Sequence, residues 1–510
     1  MPSYKHPGVY LEEIPSGAKP IEGVSTSVTA FVGAANRGPV GEPVLIGKFE
    51  DYAKTFGPVS GTDDDMGLAV MAFYLNGGKA AYVCRLASGT PTKGDVALDG
   101  TGSVSPAITV EASSEGDWAH DYYVVTKQDS GGSSFDLEVG THDAGGNFVA
   151  EETYKGLNLD SSSDDFVELR VNNDSSLVQV TVGDGATAST LPDDTPSGGT
   201  VLDSTTGGTA SAPGSQDYTD FYDDTLRKVR DVSIIVLPGQ AWGDGSSGTA
   251  VINATKAHCE ATASRVLILD VASGQELKHA GDVTGLSLPT STYTTLYYPW
   301  VEMANPLYNV DINPTADKTV AVAPSAVAAA LWTRTDAKRG VWKAPAGVET
   351  QLTGVSSLKY HVEDLEQDQL NPLGVNCIRK LPSYGSVIWG ARTLATKASP
   401  EWRYIPVRRT AIFIERSIYD GIQWAVFEPN DEPLWGALRA NIGSFMNGLF
   451  RGGAFQGKTA DQAYFVRCGL GDTMTQGDID RGQVIVVVGF APLKPAEFVI
   501  VRIQQKVGQS

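Results

Sequence analysis

Eight residues near the C-terminal end match the pattern of a nucleotide-binding loop. Residues 452–459 read Gly-Gly-Ala-Phe-Gln-Gly-Lys-Thr, and in such a loop backbone N–H groups surround the phosphates while a lysine, here Lys458, neutralises them. That chemistry requires a strand before the loop and a helix after it. The sequence predicts the opposite order, with a helix through Phe450 and a strand at 463–467. We interpret the segment as a glycine-rich loop that follows a helix. An ATPase therefore ranks third among the possible functions.

The other residues that could do chemistry are scattered along the chain. Asp478 and Asp480 form a carboxylate pair with no partner nearby in sequence, and residues 63–65 are acidic because negative charge favours a helix N-terminus. The four cysteines have neither metal-binding nor disulfide spacing. The pair His258–Cys259 is interpreted as helix surface next to a buried thiol. The sequence therefore predicts no enzyme, no metal site and no cofactor.

Strand and helix patterns alternate over residues 24–94 and again over 216–375. Fully apolar strands are separated by amphipathic helices, which predicts a parallel α/β domain interrupted by an insertion. Strands at 294–301 and 320–323 are expected to continue this sheet, and Ser325 is expected to cap a helix that closes near Gly340. The elements from which this prediction starts are strands at 24–36, 80–86, 232–239 and 265–270, and helices at 65–77, 219–230 and 248–264.

Residues 95–215 form an acidic segment rich in Ser, Thr, Gly and Asp. They hold 21 acidic and 3 basic residues, in a chain of 510 residues with a net charge of −21. Short alternating runs separated by turn residues predict an all-β insert that faces water. The predicted strands lie at 107–110, 122–127, 135–139, 166–171 and 177–182. Its end, 191–215, is close to low complexity and is predicted to be a mobile loop.

Residues 376–510 are predicted to form a C-terminal domain of mixed α and β structure. They hold 16 basic and 11 acidic residues, which suits an acidic partner. Nucleic acid is a poorer explanation because the overall charge is negative and basic residues do not cluster. The longest apolar run, 484–493, is about half the length of a membrane span and no signal pattern precedes it, so we expect a soluble cytoplasmic protein. The predicted elements are strands at 386–390, 463–467, 483–489 and 496–504, and helices at 407–421 and from Asp431 to Phe450.

Both ends of the sequence carry a short strand that suits pairing with another molecule. Pro7 and Pro15 bracket an alternating run, and proline confines a strand to a sheet edge. Terminal strands of this kind can be added to a neighbour's sheet. The residues predicted to exchange between subunits are Val9, Tyr10, Leu11, Glu12 and Ile14 at one end and Phe498, Val499, Ile500, Val501 and Ile503 at the other. The predicted hinge residues are Gly17, Gly23, Pro492 and Pro495.

Four groups of residues give the chain a family resemblance. It resembles the tail sheath proteins of contractile phages and of related extracellular contractile injection systems. The resemblance covers the start and the second half of the chain and leaves out the insert. The stretches that carry it are 7–17 with 20–27, 334–346, 370–376 with 389–393, and 408–409 through 427–430.

The resemblance implies a multidomain α+β fold and a mechanical role. The middle α/β domain (24–94 and 216–375) would carry the all-β insert (95–215) on the outer surface. A 1–23 arm and a C-terminal sheath domain (376–510) would exchange terminal strands with neighbours. Subunits would form stacked hexameric rings around an inner tube protein, faced by Arg439, Arg451 and Lys458, and would contract without ATP.

The resemblance also implies partners and a location. Baseplate and terminal cap proteins would be further partners, with no direct nucleic-acid contact and no membrane insertion. The particle would assemble in a bacterial cytoplasm as a phage virion tail or a contractile injection particle. The main alternative is another self-assembling structural protein, such as a capsid or surface-layer subunit.

Overall fold

The computed structural model describes residues 20–498, apart from 103, 144, 244 and 396–398. Its fold mixes helices and strands, as predicted. The described residues form two compact units. We call Ser25–Arg409 with 495–498 the sheet unit, and 20–24 with Thr410–Lys494 the C-terminal unit. The predicted exchange residues at 9–14 and 499–503 and the hinge residue Gly17 lie outside the described residues.

An eight-stranded sheet forms the centre of the sheet unit. Its six inner strands are parallel and its two edge strands are antiparallel to their neighbours. Strands from before and after the insert lie side by side in it. The inner strands at Val28–Gly33 and Val266–Val271 are buried at every residue, as expected for parallel strands that are covered on both faces. In sheet order the strands are β2 (Pro43–Ile46), β3 (Ala81–Arg85), β1 (Val28–Gly33), β13 (Val232–Trp242), β14 (Val266–Val271), β15 (Thr294–Tyr298), β19 (Val375–Leu381) and β20 (Gly385–Ile388).

The predicted helices at 65–77 and 248–264, and the one that closes near Gly340, lie within about three residues of their predicted bounds. The α-helices that lie wholly in this unit, outside the insert, are α1 (Phe49–Phe56), α2 (Asp65–Leu75), α4 (Ser215–Asp224), α5 (Gly245–Thr262), α6 (Ala280–Gly285), α7 (Pro324–Arg339) and α8 (Asp364–Leu370). Single 3₁₀ turns lie at Leu226–Lys228, Val348–Thr350, Asn371–Leu373 and Pro400–Trp402. The predicted helix at 219–230 is therefore a helix that ends at Asp224, followed by a 3₁₀ turn.

Two local predictions in these helices are wrong. Ala323 is the N-cap of α7, because Pro324 takes the first helical position, and the side chain of Ser325 instead donates to Asp270. His258 is buried and not on the helix surface, with its ring stacked on Tyr222 at 4.6 Å. Burial and the nearby charge of Arg265 lower the pKa of His258 to about 4.

A separate antiparallel sheet replaces part of the predicted parallel one. It has three strands, β16 (Val301–Ala304), β17 (Thr319–Val322) and β18 (Val355–Leu358). The predicted strand at 320–323 does not continue the large sheet. Burial alternates along β17, as in an antiparallel strand with one solvated face, and a short apolar run cannot distinguish the two situations.

The predicted boundary at 375/376 falls inside β19. That strand pairs with β15, so the large sheet continues to Ile388 and the sheet unit to Arg409. A change in composition does not locate this boundary, because Val375–Ile378 of β19 are buried like the strands before them and the strand becomes polar only from Arg379.

The insert has two sheets around its own hydrophobic core. One has strands β10 (Val178–Val182), β6 (Val104–Ala112) and β5 (Asp95–Gly100), the other β11 (Thr200–Val201), β7 (Tyr123–Gln128), β8 (Phe135–His142) and β9 (Phe148–Leu157), and β4 (Ser88–Thr92) pairs with β12 (Thr209–Ser211). A 3₁₀ turn lies at Asp117–Asp121.

The insert is not entirely β structure. The predicted strand at 166–171 is helix α3 (Val167–Asp174), in which the buried Val167 and Val171 lie one turn apart on the same face. The predicted loop at 191–215 contains two short paired strands, and Leu191 and Leu202 are buried. Residues four apart lie on the same face of a helix and also on the same face of a strand, so the spacing of these valines cannot distinguish the two, which explains the error.

The C-terminal unit is mainly helical. It contains the part of α9 (Ile405–Gly421) after Arg409, then α10 (Glu432–Arg451), α11 (Ala460–Ala463) and α12 (Gln476–Asp480), a 3₁₀ turn at Gln423–Ala425, and strands β21 (Tyr464–Arg467) and β22 (Val487–Phe490). Asp431 caps α10 as predicted, since its side chain accepts from the Leu434 N–H at 3.3 Å. β22 is shorter than the predicted 483–489 strand because β21 offers only four residues to pair with.

Candidate assembly site at the roots of the two chain ends

The first described residues of the chain lie against α9 in the C-terminal unit. The backbone N–H of Val24 donates to the Ser417 hydroxyl at 3.1 Å. Gly23 lies so close to Phe413 that a Cβ added there would be 2.8 Å from its ring, and a Cβ on Gly421 would be 2.7 Å from Ile21. Gly23, which we predicted as a hinge, therefore occupies a position where a larger side chain would not fit.

The next residues are held in the sheet unit by a buried ion pair. Arg409 donates to both carboxylate oxygens of Asp336, at 3.0 and 2.6 Å, and each side chain is only 4% exposed. The same two groups bind the N-terminal segment: Asp336 accepts from the Thr26 hydroxyl at 2.7 Å, and Arg409 donates to the Thr26 carbonyl at 2.8 Å. The Arg409 guanidinium also lies 4.5 Å from the centre of the Trp332 ring.

The last described residues of the chain are also held in the sheet unit. Arg392 donates through Nε to one carboxylate oxygen of Glu497 at 2.9 Å and through Nη2 to the other. The Tyr404 hydroxyl donates to the same carboxylate at 3.1 Å. Phe498, one of the predicted exchange residues, follows directly and is 74% exposed.

A two-stranded sheet in the C-terminal unit has unpaired edges. β21 and β22 pair with each other from Tyr464–Phe490 to Arg467–Val487, and in the described part of the chain neither has a second neighbour. Phe465 covers Gly489 but remains 49% exposed, and Val487 is 42% exposed. An isolated pair of strands is marginally stable, and its open edges suit the addition of further strands.

The segment that resembles a nucleotide-binding loop lacks the required context. It leaves the end of α10, passes Gly457 at a φ of +127°, and leads through the four-residue α11 into β21. The Lys458 N–H is capped by the Gln462 side chain at 3.0 Å. Among the described residues no cluster of three side chains could ligate a metal ion. No helix in the described ranges is both long and apolar enough to cross a bilayer.

Comparison with known families decides the assignment. Residues 211–394 match the model of the phage tail sheath protein central domain, and residues 397–506 match that of the phage tail sheath C-terminal domain. The chain belongs to the phage tail sheath protein family. A tail sheath protein of Vibrio phage KVP40 is 26% identical over 173 residues, which are 34% of this chain and 24% of that protein, so the match spans about a quarter of that relative.

Solved sheath structures share the fold over nearly the whole chain. The contracted helical sheath of the anti-feeding prophage matches with a TM-score of 0.60 and 25% identity, over 99% of this chain and 100% of that one. The contracted PVC sheath complex, an extracellular contractile injection system, gives 0.60 and 23%, covering 99% of each chain. The sheath tail protein of Desulfitobacterium hafniense gives 0.58 and 14%, over 95% of this chain and 100% of that one.

The C-terminal unit of this sheath protein is not positively charged, although the sequence predicted a positive charge for residues 376–510. Residues 410–494 hold seven basic and nine acidic residues. Much of the predicted positive charge comes from Arg392, Arg408 and Arg409, which are buried in the sheet unit. Of the residues expected to face an inner tube, Arg439 is paired with Glu432 and the Cys468 carbonyl, whereas Arg451 and Lys458 are exposed.

Sequence reasoning missed both ion pairs that hold the chain ends. Arg409 and Asp336 are 73 residues apart, and Arg392 and Glu497 are 105 apart. The sequence did mark these residues indirectly. Three of the four, all except Glu497, lie within the stretches that carry the family resemblance.

Proposed function

We propose that this chain is the polymerising subunit of a contractile sheath, in which its terminal strands complete the sheets of neighbouring subunits. The observation that carries the proposal is the two-stranded sheet of β21 and β22. Among the described residues it has open edges and exposed apolar side chains. Both chain ends are also anchored by ion pairs, at Thr26 and at Glu497, on the side of the predicted exchange residues that faces the chain's own fold. A terminal segment anchored in this way can pair with another subunit while the rest of its own chain stays folded.

The proposed assembly is a stack of hexameric rings around an inner tube protein, bounded by baseplate and terminal cap proteins. Contraction would repack subunits against one another and bury more apolar surface, which yields about 25 cal/mol per Å². Several hundred Å² per subunit, repeated over many copies, can drive a tube through a target envelope without ATP. Neither nucleic acid nor membrane insertion has a part in this mechanism, and the particle is a phage tail or an injection system.

The two surfaces of the sheath would have different character. The insert, with 21 acidic and 3 basic residues, would lie on the outer surface and keep particles apart by like charge. Arg451, the last residue of α10, and Lys458, in the loop that follows it, are exposed and are the candidates that remain for contact with the inner tube. Residues 493–496 would be the flexible segment between two held positions. Pro492 pairs with Phe455 in an isolated antiparallel β-bridge, and Glu497 is bound by Arg392.

Deleting residues 1–15 is expected to abolish sheath formation while leaving a folded, soluble monomer. The deletion removes the predicted strand between Pro7 and Pro15 but none of the contacts made by Val24, Thr26 or Ser27. Negative-stain microscopy and light scattering measure the outcome. Deleting residues 1–5 is the matched control and should leave tubes intact. Normal tubes from the longer deletion would refute strand exchange, and closed shells or flat lattices would favour a capsid or surface-layer protein.

For the purified chain without an inner tube, replacing Lys458 with alanine is expected to leave the yield of sheath tubes unchanged. Lys458 is exposed in a loop that follows a helix, so no phosphate-binding geometry is lost. Isothermal titration with ATP and Mg²⁺ should give no heat of binding for either protein. Saturable binding that disappears in the variant would instead favour the ATPase alternative.

A further inference from the structure

Two of the stretches that carry the family resemblance meet in the sheet unit around Asn376. Its side-chain oxygen accepts from the Arg392 backbone N–H at 2.6 Å, and its side-chain nitrogen donates to the Arg392 carbonyl at 2.8 Å. The Thr295 hydroxyl donates to the same carbonyl at 2.9 Å. A Cβ added to Gly390 would lie 2.9 Å from the Asn376 Cα. These contacts fix the backbone on both sides of Arg392, so its side chain starts from a rigid position.

The Arg392 guanidinium is held in a fixed orientation. Its Nη1 donates to the Asn371 carbonyl at 2.9 Å, which leaves Nε and Nη2 directed at the two oxygens of Glu497. The side chains are 9% and 15% exposed, so water screens the pair weakly. Burial lowers the pKa of Arg392, but the hydrogen bonds and charge of Glu497 outweigh it and leave that pKa above its usual value.

We propose that residues 371–376 and 389–393 together form a carboxylate receptor whose ligand is Glu497 of the same chain. A planar guanidinium binds a carboxylate at two points, which sets direction as well as distance, and Tyr404 adds a third donor. Since Phe498 follows Glu497 directly, the receptor fixes both the place and the direction in which the predicted C-terminal strand would begin. The receptor is a property of one folded chain, and only its role in placing that strand rests on the proposed function.

The test is hydrogen exchange of the soluble full-length chain, followed by mass spectrometry. Glu497→Gln keeps the size of the side chain but removes its charge and one acceptor oxygen. We expect the hydrogen-bonded amides of Arg392 and Thr393 to exchange at least about tenfold faster, because the segment that carries Arg392 opens more easily once its guanidinium has lost a charged partner. Glu401→Gln is the matched control, since it removes an exposed carboxylate of the same unit and should change nothing. Arg392→Lys, which loses two-point binding, should reproduce the effect of Glu497→Gln.

Two results would overturn the receptor. One is unchanged exchange at Arg392 and Thr393 in Glu497→Gln. The other is protection of these amides that increases with protein concentration, because Glu497 would then bind the receptor of another copy. The deletion of residues 1–15 leaves the receptor intact and should not alter this exchange. Loss of tubes and loss of the receptor are therefore measured separately.

Discussion

Replacing Asp336 with asparagine is expected to lower the free energy of unfolding of the sheet unit by about 3–5 kcal/mol, the usual cost of leaving one member of a buried ion pair without its partner. Arg409 would retain its charge at 4% exposure with no carboxylate opposite it. The hydrogen bond from the Thr26 hydroxyl would also weaken, because an amide oxygen is a poorer acceptor than a carboxylate. Urea unfolding followed by tryptophan fluorescence measures the loss, since Trp332 lies against Arg409.

An exposed ion pair of the same helix provides the control for this prediction. Arg339 and Glu349 approach to 2.8 Å, but their side chains are 52% and 57% exposed. Glu349→Gln should therefore cost less than about 1 kcal/mol. Equal losses for the two variants would show that the Arg409 pair is no more important than a surface contact. A folded Asp336→Asn chain that also forms fewer tubes would connect the anchoring of Thr26 to assembly.

The sequence was sufficient wherever a local pattern determines the structure. The strand at 266–271 and helix α10 were predicted to within one residue at most ends. The first is a continuous apolar run between turn residues, and the second has a capping aspartate at its start. Both signals lie within a few residues of the element they specify, so no knowledge of the fold is needed.

Prediction failed where the partner of a residue decides the structure. Val167 and Val171 are one helical turn apart, yet their surroundings in sequence resemble a strand. Thr319–Val322 looks like the other apolar strands but pairs in a different sheet. For the candidate site, the sequence offers 60 acidic residues as possible partners of Arg392, and only folding selects Glu497. Ion pairs between residues that are far apart in sequence are thus the contacts that local sequence patterns cannot predict.

A buried carboxylate at the end of β14 should make the stability of the sheet unit depend on pH. Asp270 is 3% exposed, and it accepts from the Ser325 N–H at 3.0 Å and the Ser325 hydroxyl at 2.5 Å. Burial raises the pKa of Asp270 to about 7, the hydrogen bonds from Ser325 oppose this, and the charge of Asp65 adds to it. The folded chain binds this proton more tightly than the unfolded chain does. Protonation of Asp270 therefore stabilises the fold, and this stabilisation is complete below the unfolded pKa of 3.8 and is lost as the pH rises through about 7.

Asp270→Asn is expected to remove this dependence. Between pH 5 and pH 8 the wild-type chain should lose roughly 2–3 kcal/mol of unfolding free energy relative to the variant, from a shift of about two pH units at 1.36 kcal/mol each. Urea unfolding across that range measures the difference. Ser325→Ala removes one donor to the carboxylate, so its loss should occur at higher pH than in the wild type. Parallel pH profiles for the wild type and Asp270→Asn would mean that Asp270 stays ionised in the fold, with Ser325 compensating fully for its burial.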